Sequence, residues 1–365
     1  MVLLVSLLVV SPLVLMGSEV LRNHEKLSVV CCCMLAAITV PLYLFSAAVE
    51  LPFALTVLIG LLTKGGLAGV LFFFVMFAGA VPERSTFRKR ILPIRGQLSI
   101  MASILALGHA AAFGSTHFVR LFTSASELRI WTLLATLAAL ILIILLFPLF
   151  LSSLRAIRRK MKAQSWKRLQ KLAYLFYALI YLHILLFHMQ GVREAKLQSI
   201  LNVCLYSIVF FTYSSMRLCK VAQKRGCEDC ILFIQFACFS MLTALLVFCF
   251  LPTVDSGKAH NMGSSISYDD IPQKEWADGT YKGAAIGYNG RLKVSVVIEG
   301  GKIKEVTLKS HVEDEPYVSR ATTGILPAMS KYNTPDIDAV STATTTFEAL
   351  VEAVHQAIDA AEIQP

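Results

Sequence analysis

Long apolar runs alternate with short polar connections over residues 1–252, whereas the rest of the chain has the polar mixture of a soluble domain. A membrane-crossing helix needs about 20 mostly apolar residues. The runs predict candidate spans at 2–16, 27–48, 53–81, 97–115, 130–152, 172–190, 199–216 and 229–252. Thr63–Gly66 interrupts the third run, which predicts a helix break there. The pattern indicates a polytopic α-helical membrane bundle of about seven to eight spans.

The polar part of the chain divides into a linker and a small domain. Residues 253–275 are rich in Gly and Ser, which is typical of a linker. Residues 276–365 predict an α+β domain, with a strand around 281–288, a hairpin over 291–309 that turns at Gly300–Gly301, and an amphipathic helix over 347–361. The predicted organisation is a membrane domain, a linker and a water-facing domain.

Charge orients the predicted spans. The chain is 56% hydrophobic and carries a formal net charge of +10. Lys and Arg concentrate in every second connection, at 84–95, 155–171 and 217–225. Such loops face the cytoplasm. This predicts a multi-pass protein of a prokaryotic cytoplasmic membrane, in contact with lipid and not with nucleic acid, whose C-terminal domain is extracytosolic.

Four histidines lie in or beside the apolar runs: His109, His117, His183 and His188. By residue count, His109 and His183 lie at a matching depth of about 18–21 Å from the cytoplasmic ends of their spans. Two imidazoles at equal depth on separate helices suit bis-histidine haem ligation, and structural contacts between helices are the alternative. His117 and His188 lie farther out, as interfacial anchors or as ligands of an outer cofactor.

The segments around His109 and His183 resemble a known family. RGQLSIMASILALGHAAAF (95–113) and WKRLQKLAYLFYALIYLH (166–183) are similar to ferric-reductase-like transmembrane proteins, particularly the haem subunit of the periplasmic methionine sulfoxide reductase system. This resemblance, which covers roughly residues 60–190, implies that His109 and His183 ligate haem iron. Gln170 stands where the family has a further histidine, so we expect one b-type haem.

Cysteines add one motif. All nine lie in the membrane part or its loops, and Cys227-Glu-Asp-Cys230 falls in a loop that we predict to be cytoplasmic. A single C-x-x-C pair is a weak redox or metal signal. We expect reduced thiols in a structural loop.

The segment DAVSTATTTFEAL (338–350) crowds hydroxyl groups at the start of the predicted C-terminal helix. Helix capping by Thr344–Thr346 is the simplest interpretation. The pattern Asp338-x-x-Ser341-x-Ala343-Thr344 also resembles the flavinylation motif of covalent FMN-binding domains, found in Rnf complexes and sodium-pumping NADH:quinone reductases. The resemblance implies FMN esterified through its phosphate to Thr344 by a flavin transferase. Thr342 replaces the Gly that is usual in the motif.

Further segments extend this resemblance over nearly the whole soluble domain, namely DGTYKGAAIGYNG, EGGKIKEVTL and SHVEDEP. Together the two resemblances imply transmembrane electron transfer. A cytoplasmic donor protein or a quinol would supply electrons through haem to the extracytosolic FMN and on to an external acceptor. A strand followed by G-x-G-x-x-G is missing from the sequence, which argues against a nicotinamide site of its own. A flavin-bearing sensor or scaffold, or a transporter, is the alternative, with structural histidines.

Overall fold

A computed structural model describes residues 2–48, 52–250, 276–337 and 344–361. The elements before residue 251 are helical. They are α1 (Val2–Met16), α2 (Ser18–Asn23), α3 (Glu25–Ala48), α4 (Phe53–Thr63), α5 (Gly66–Ala80), α6 (Thr86–Ile91), α7 (Arg95–His109), α8 (Ser115–Thr123), α9 (Ile130–Ser153), α10 (Arg155–Arg158), α11 (Ala163–Gln170), α12 (Leu172–Arg193), α13 (Leu197–Lys224) and α14 (Glu228–Phe250).

Several of these helices are long and apolar enough to cross a membrane. Six described segments qualify, at Glu25–Leu44, Thr86–Thr123, Ile130–Ser153, Ala163–Arg193, Leu197–Lys224 and Asp229–Cys249. α4 and α5 meet at a bend of 56°. If this bent pair is counted as one span, it is the seventh. This bend confirms the break predicted at Thr63–Gly66. α1 is apolar but shorter, and the total of seven to eight spans stays a prediction.

The helical part buries some apolar side chains and leaves others on its surface. α5 is buried along most of its length, with Val70 and Ala78 fully inaccessible. By contrast, Phe233, Phe236 and Phe239 on α14 are 69–71% exposed. Exposed apolar surface on this scale is unfavourable in water and ordinary against lipid. The pattern is that of a helical membrane protein.

The span predicted at 97–115 is longer and less regular than the sequence suggests. α7 ends at His109, and a π-helical turn at Ala110–Gly114 connects it to α8. The helix therefore continues to Thr123, into a segment predicted as a loop. Such π-turns inside α-helices are rare and occur often at functional sites.

The chain forms two compact units. The helical unit contains most of the described residues before 251. The C-terminal unit contains residues 276–337 and 344–361, together with residues 44–48 and the connection at residues 116–133. The sequence predicts a separate domain over residues 276–365 but gives no sign that the 116–133 connection packs with it. The predicted linker, 253–275, lies outside the described residues.

The C-terminal unit is built on a three-stranded antiparallel sheet in the order β1 (Gly279–Ile286), β2 (Arg291–Glu299), β3 (Lys302–Ser310). In β2 the apolar side chains alternate, and Leu292, Val294, Val296 and Ile298 are all buried. The β2–β3 turn at Gly300–Gly301 has φ angles of 61° and 72°, which favour glycine, as predicted.

Two helices cover the sheet, α15 (Glu315–Tyr332) and α16 (Thr344–Asp359). α16 confirms the predicted C-terminal helix, because Phe347, Leu350 and Val354 recur at helical spacing and are fully buried. α15 is missing from the sequence-based prediction. It contacts β3, and α16 contacts β1 and β2, so that the sheet and both helices share one core.

Candidate functional site

The predicted flavin acceptor lies at the beginning of α16. Thr344 is the first residue of this helix, and Asp338, Ser341 and Ala343 lie outside the described residues, as does the side chain of Thr344. A helix N-terminus presents unpaired N–H groups and a partial positive charge, which suit a phosphate group. The core side chains of α16 fix where the helix begins.

Two residues beyond Thr344, a buried hydrogen bond ties the first turn of α16 to Glu313. The Thr346 hydroxyl donates to Glu313 Oε2 at 2.6 Å, and both side chains are buried. Glu313 Oε2 also accepts from Tyr288 N–H at 3.1 Å, while Oε1 accepts from Asn289 N–H at 2.8 Å and Gly290 N–H at 3.3 Å. One carboxylate therefore holds the β1–β2 loop and the first turn of α16 together.

A buried side-chain oxygen in the β1–β2 loop has no hydrogen-bond partner among the residues that the structure describes. Asn289 is 1% exposed, and its Oδ1 accepts no hydrogen bond from any described residue. Buried acceptors are normally satisfied, so such an atom suggests a missing donor. A helix N-terminus for a phosphate and a nearby buried acceptor for an N–H group fit a ligand such as FMN, which carries both.

Residues of the 116–133 connection pack directly on this region of the C-terminal unit. Arg120 Nη2 donates to Glu313 O at 2.5 Å, and its Nη1 lies 3.3 Å from Asp314 Oδ1. His117 Nε2 lies 3.4 Å from the same carboxylate oxygen. His117, Arg120 and Asp314 are all buried or nearly so, with side-chain exposures of 8–12%. A solvent-excluded ionic cluster therefore supports the peptide that carries Glu313.

Two main-chain contacts and one ion pair extend this packing. Arg129 N–H donates to Asn289 O at 2.8 Å, Leu128 pairs with Gly290 as an antiparallel bridge, and Lys293 forms an ion pair with Glu127 at 2.7 Å. The connection therefore adds a short strand-like contact to the β1–β2 loop. Contacts between segments this far apart leave no local pattern in the sequence.

The other predicted ligands lie in the helical unit. His109 Nδ1 lies 2.7 Å from Thr63 O, and His183 Nδ1 lies 2.9 Å from Ala135 O. A carbonyl oxygen only accepts, so each Nδ1 carries a proton, and in the neutral ring each Nε2 then carries the lone pair. Histidines that bind metals commonly donate their other ring N–H to a backbone carbonyl. The tautomer of each ring is therefore the one that metal ligation through Nε2 needs.

The contact of His109 uses the helix break. Thr63 is the last residue of α4, where helix carbonyls lose their intrahelical partners. Gly65 follows with φ of 71°, and a Cβ at this position would lie 3.2 Å from His109 Cδ2 and Cγ. The TKGG segment thus provides both an acceptor for the ring and the space beside it.

The remaining predicted residues have other surroundings. His117 belongs to the ionic cluster with Asp314. His188 lies in α12 beside Phe187, with ring centroids 5.8 Å apart. Gln170 Nε2 donates to Ser152 Oγ at 2.9 Å. Groups of three or more His, Cys, Asp or Glu side chains that would hold a metal ion do not occur among the described residues.

Cys227 and Cys230 correct one expectation. They form a disulfide, whereas the single C-x-x-C pair in a loop predicted to be cytoplasmic led us to expect reduced thiols. Cys227 N–H donates to Ala222 O and Gly226 N–H donates to Gln223 O, the paired bonds that end α13 in a Schellman turn. This turn brings Cys227 next to the start of α14 and so to Cys230.

Comparison with known proteins agrees with the C-terminal site. The family described as FMN-binding domain matches residues 287–359, which include Glu313 and Thr344. An uncharacterized protein of Treponema pallidum (strain Nichols) is 31% identical over 342 residues, or 92% of this chain and 93% of that protein. The chain belongs to the same family as this Treponema protein. No solved structure matches it. It combines apolar membrane helices with an FMN-binding domain.

Proposed function

We propose that this protein transfers electrons across a membrane to a covalently bound, extracytosolic FMN. In this proposal His109 and His183 hold one b-type haem, Thr344 carries the FMN as a phosphoester, and Asp338, Ser341 and Ala343 complete the flavinylation motif. The observation that carries the proposal is the FMN-binding family match over residues 287–359, which includes a helix that begins at Thr344.

The chain's own residues have distinct tasks in this scheme. α16 presents its positive end to the flavin phosphate. Glu313 fixes the first turn of α16 through Thr346. The Thr63 and Ala135 carbonyls set the tautomer of the two histidines. When bound, FMN supplies one- and two-electron chemistry and haem supplies one-electron chemistry.

Two arguments support an extracytosolic C-terminal domain. The basic connections at 84–95, 155–171 and 217–225 are predicted to face the cytoplasm. The 116–133 connection, which alternates with them along the chain, packs in the same compact unit as the FMN-binding domain. Flavin transferases of the type implied by the motif act outside the cytoplasm. A quinol or a cytoplasmic protein would donate electrons, and an external partner would accept them.

The absorption spectrum of purified membranes tests the proposal. Dithionite-reducible Soret and α bands of a b-type haem, together with flavin fluorescence that survives denaturation, are the expected result. Flavin without haem would favour a sensor or scaffold and contradict electron transfer through the histidines. The absence of both cofactors would contradict the proposal as a whole and favour transport through the broken helix.

A further inference from the structure

The helical unit contains a polar cavity that the proposed electron path does not use. It has a volume of about 370 Å³ and lies between α5, α7, the end of α9, and α11–α12. This volume is in the range of small-ligand sites, about 300–1,000 Å³. Neither His109 nor His183 lines the cavity, and none of its lining residues, all of them described, is a histidine.

Positive charge dominates this cavity. Arg22, Arg95, Arg155 and Arg158 line it, against a single carboxylate, Glu25. Glu25 is already neutralised, because its Oε2 lies 2.5 Å from Arg155 Nη2. Arg158 lies over the Trp166 ring at 4.3 Å. Arg22 and Arg95 have no carboxylate partner among the described residues. Arg95 is half-buried, and a guanidinium in that position without a counter-charge is costly, so an anion is expected near it.

A second observation points into the same space. Tyr177 lines the cavity, is 3% exposed, and its hydroxyl has no hydrogen-bond partner in the described part of the chain. Tyr213 adjoins both groups: its ring packs against Tyr177 with centroids 4.7 Å apart, and it interacts electrostatically with Arg95. Among the described residues, a donor without a hydrogen-bond partner and a cation without a carboxylate partner therefore line one cavity, where an oxyanion would suit both.

The remaining walls suggest what carries the oxyanion. Phe72, Ile100, Leu146 and Phe176 supply apolar surface, whereas Arg22 and Arg158 are exposed at the rim. A ligand that joins a phosphate group to an apolar portion would match a cavity with apolar walls and charged arginines. Basic pockets between helices on the cytoplasmic side are typical sites for anionic lipid headgroups. The connections that supply Arg95, Arg155 and Arg158 are among those predicted to be cytoplasmic.

We propose that this cavity binds a phosphate group, with Arg95 and Tyr177 as its inner donors. The two sources of that chemistry are the headgroup of an anionic phospholipid and free phosphate. The site goes beyond the proposed electron transfer, since none of its residues is a predicted ligand of haem or FMN. If the cavity binds no phosphate group, the flavin and haem assignments are unaffected.

Native mass spectrometry of the delipidated full-length holoprotein tests the site. The protein is titrated with dioleoyl phosphatidylglycerol, with zwitterionic dioleoyl phosphatidylcholine as the reference, and in a separate arm with inorganic phosphate. We expect one anionic lipid per chain, with binding weakened at least tenfold in Arg95→Gln and measurably in Tyr177→Phe. Arg159→Gln and Tyr206→Phe, outside the cavity, are the matched controls.

The two arms separate the sources. Tight binding of phosphatidylglycerol without competition by phosphate identifies a lipid site, and phosphate binding that depends on Arg95 and Tyr177 identifies a site for free phosphate. Equal retention of both probes by the cavity variants and their controls would overturn the proposal. Tyr177→Phe removes a single oxygen atom, so it keeps the test decisive if Arg95→Gln does not fold.

Discussion

The two units of this protein satisfy their functional polar side chains in opposite ways. In the helical unit, His109 and His183 donate to main-chain carbonyls, those of Thr63 and Ala135. In the C-terminal unit, Glu313 accepts from three consecutive main-chain N–H groups and the Thr346 hydroxyl. A carbonyl oxygen has two lone pairs, so it can accept from a ring at a helix end, as at Thr63, or within a helix, as at Ala135. The β1–β2 loop instead directs its N–H groups at one carboxylate.

The difference shows which ligand chemistry each unit supports. A ring held by a carbonyl presents a nitrogen lone pair, which suits a metal. A loop and a helix start that are rich in N–H groups suit anions, whether the carboxylate of Glu313 or a phosphate on Thr344. In the proposed function, the helical unit would thus provide the metal ligands, and the C-terminal unit would hold the phosphorylated cofactor.

The sharpest test of the C-terminal half of this comparison is Thr344→Ala. We expect complete loss of covalent flavin with a nearly intact fold, because a helix-capping residue contributes only about 1 kcal/mol. In-gel flavin fluorescence after denaturation is the measurement. Thr345→Ala is the matched control and should retain the signal. Undiminished fluorescence in Thr344→Ala would rule out this residue as the attachment site.

For the helical half, the corresponding test is loss of haem. His109→Ala or His183→Ala should each remove the b-type haem, because bis-histidine ligation needs both rings. Reduction of the FMN from the cytoplasmic side should stop as well. A pyridine haemochrome assay, normalised to protein, measures the haem.

His117→Ala and His188→Ala serve as controls for haem content and should keep most of it. Their surroundings differ from those of the two predicted ligands, since His117 faces Asp314. Full haem content in the His109 and His183 variants, or two haems per chain in the unaltered protein, would contradict the ligand assignment.

Local features of the fold are those that the sequence predicts well. The turn at Gly300–Gly301 and the break at Thr63–Gly66 depend on residues that are adjacent in the chain, and both are confirmed. α15 escapes prediction because Pro327 and the polar run at 322–324 interrupt its apolar pattern. Strong local signals therefore identify elements, whereas a mixed pattern hides them.

The surroundings of the candidate site depend on distant residues. The partners of the Glu313 carboxylate lie 23–33 positions away, and Arg120 lies 194 positions before Asp314. Such contacts follow from tertiary packing and leave no periodic trace. The sequence therefore indicates Thr344 through a motif and includes Glu313 in a segment, SHVEDEP, that resembles the FMN-binding family. It predicts neither the burial and partners of this carboxylate nor the packing of the 116–133 connection.

Breaking that support should destabilise the C-terminal unit. Arg120→Gln leaves the buried Asp314 carboxylate without its guanidinium partner, and loss of one partner of a buried ion pair costs about 3 kcal/mol or more. The change is measured by heating the full-length protein and using proteolysis of the C-terminal unit as the readout of its unfolding. Lys302→Gln, an exposed position on β3, should have little effect. Equal midpoints for the two variants would contradict this role of Arg120.

A smaller loss is expected at the carboxylate itself. Glu313→Gln places an N–H group among N–H donors and should cost about 1.5–3 kcal/mol, the range for a hydrogen bond to a charged group. Thr346→Ala should cost about 1 kcal/mol and still retain covalent flavin. The same denaturation assay ranks the two variants. A larger loss in Thr346→Ala than in Glu313→Gln would show that the hydroxyl, not the carboxylate, organises the loop.

The substitution with the smallest expected effect tests whether the break between α4 and α5 positions the His109 ring. Gly65→Ala adds a Cβ within 3.2 Å of the His109 ring at a residue whose φ is 71°. The strain of a left-handed alanine is about 1–2 kcal/mol, and the ring must move by a few tenths of an ångström. We expect partial loss of haem and a shifted α band, because the geometry of the Thr63 contact changes while the ligand remains.

Gly69→Ala provides the matched control for this substitution. Gly69 lies one turn into α5, and a Cβ there would meet no atom within 4 Å. Alanine favours helix by about 1 kcal/mol over glycine, so this variant should keep its haem and gain slightly in stability. If Gly65→Ala and Gly69→Ala show the same haem content and the same spectrum, the break does not position His109. The contrast between a carbonyl-held metal ligand and an N–H-held anion would then rest on His183 alone in the helical unit.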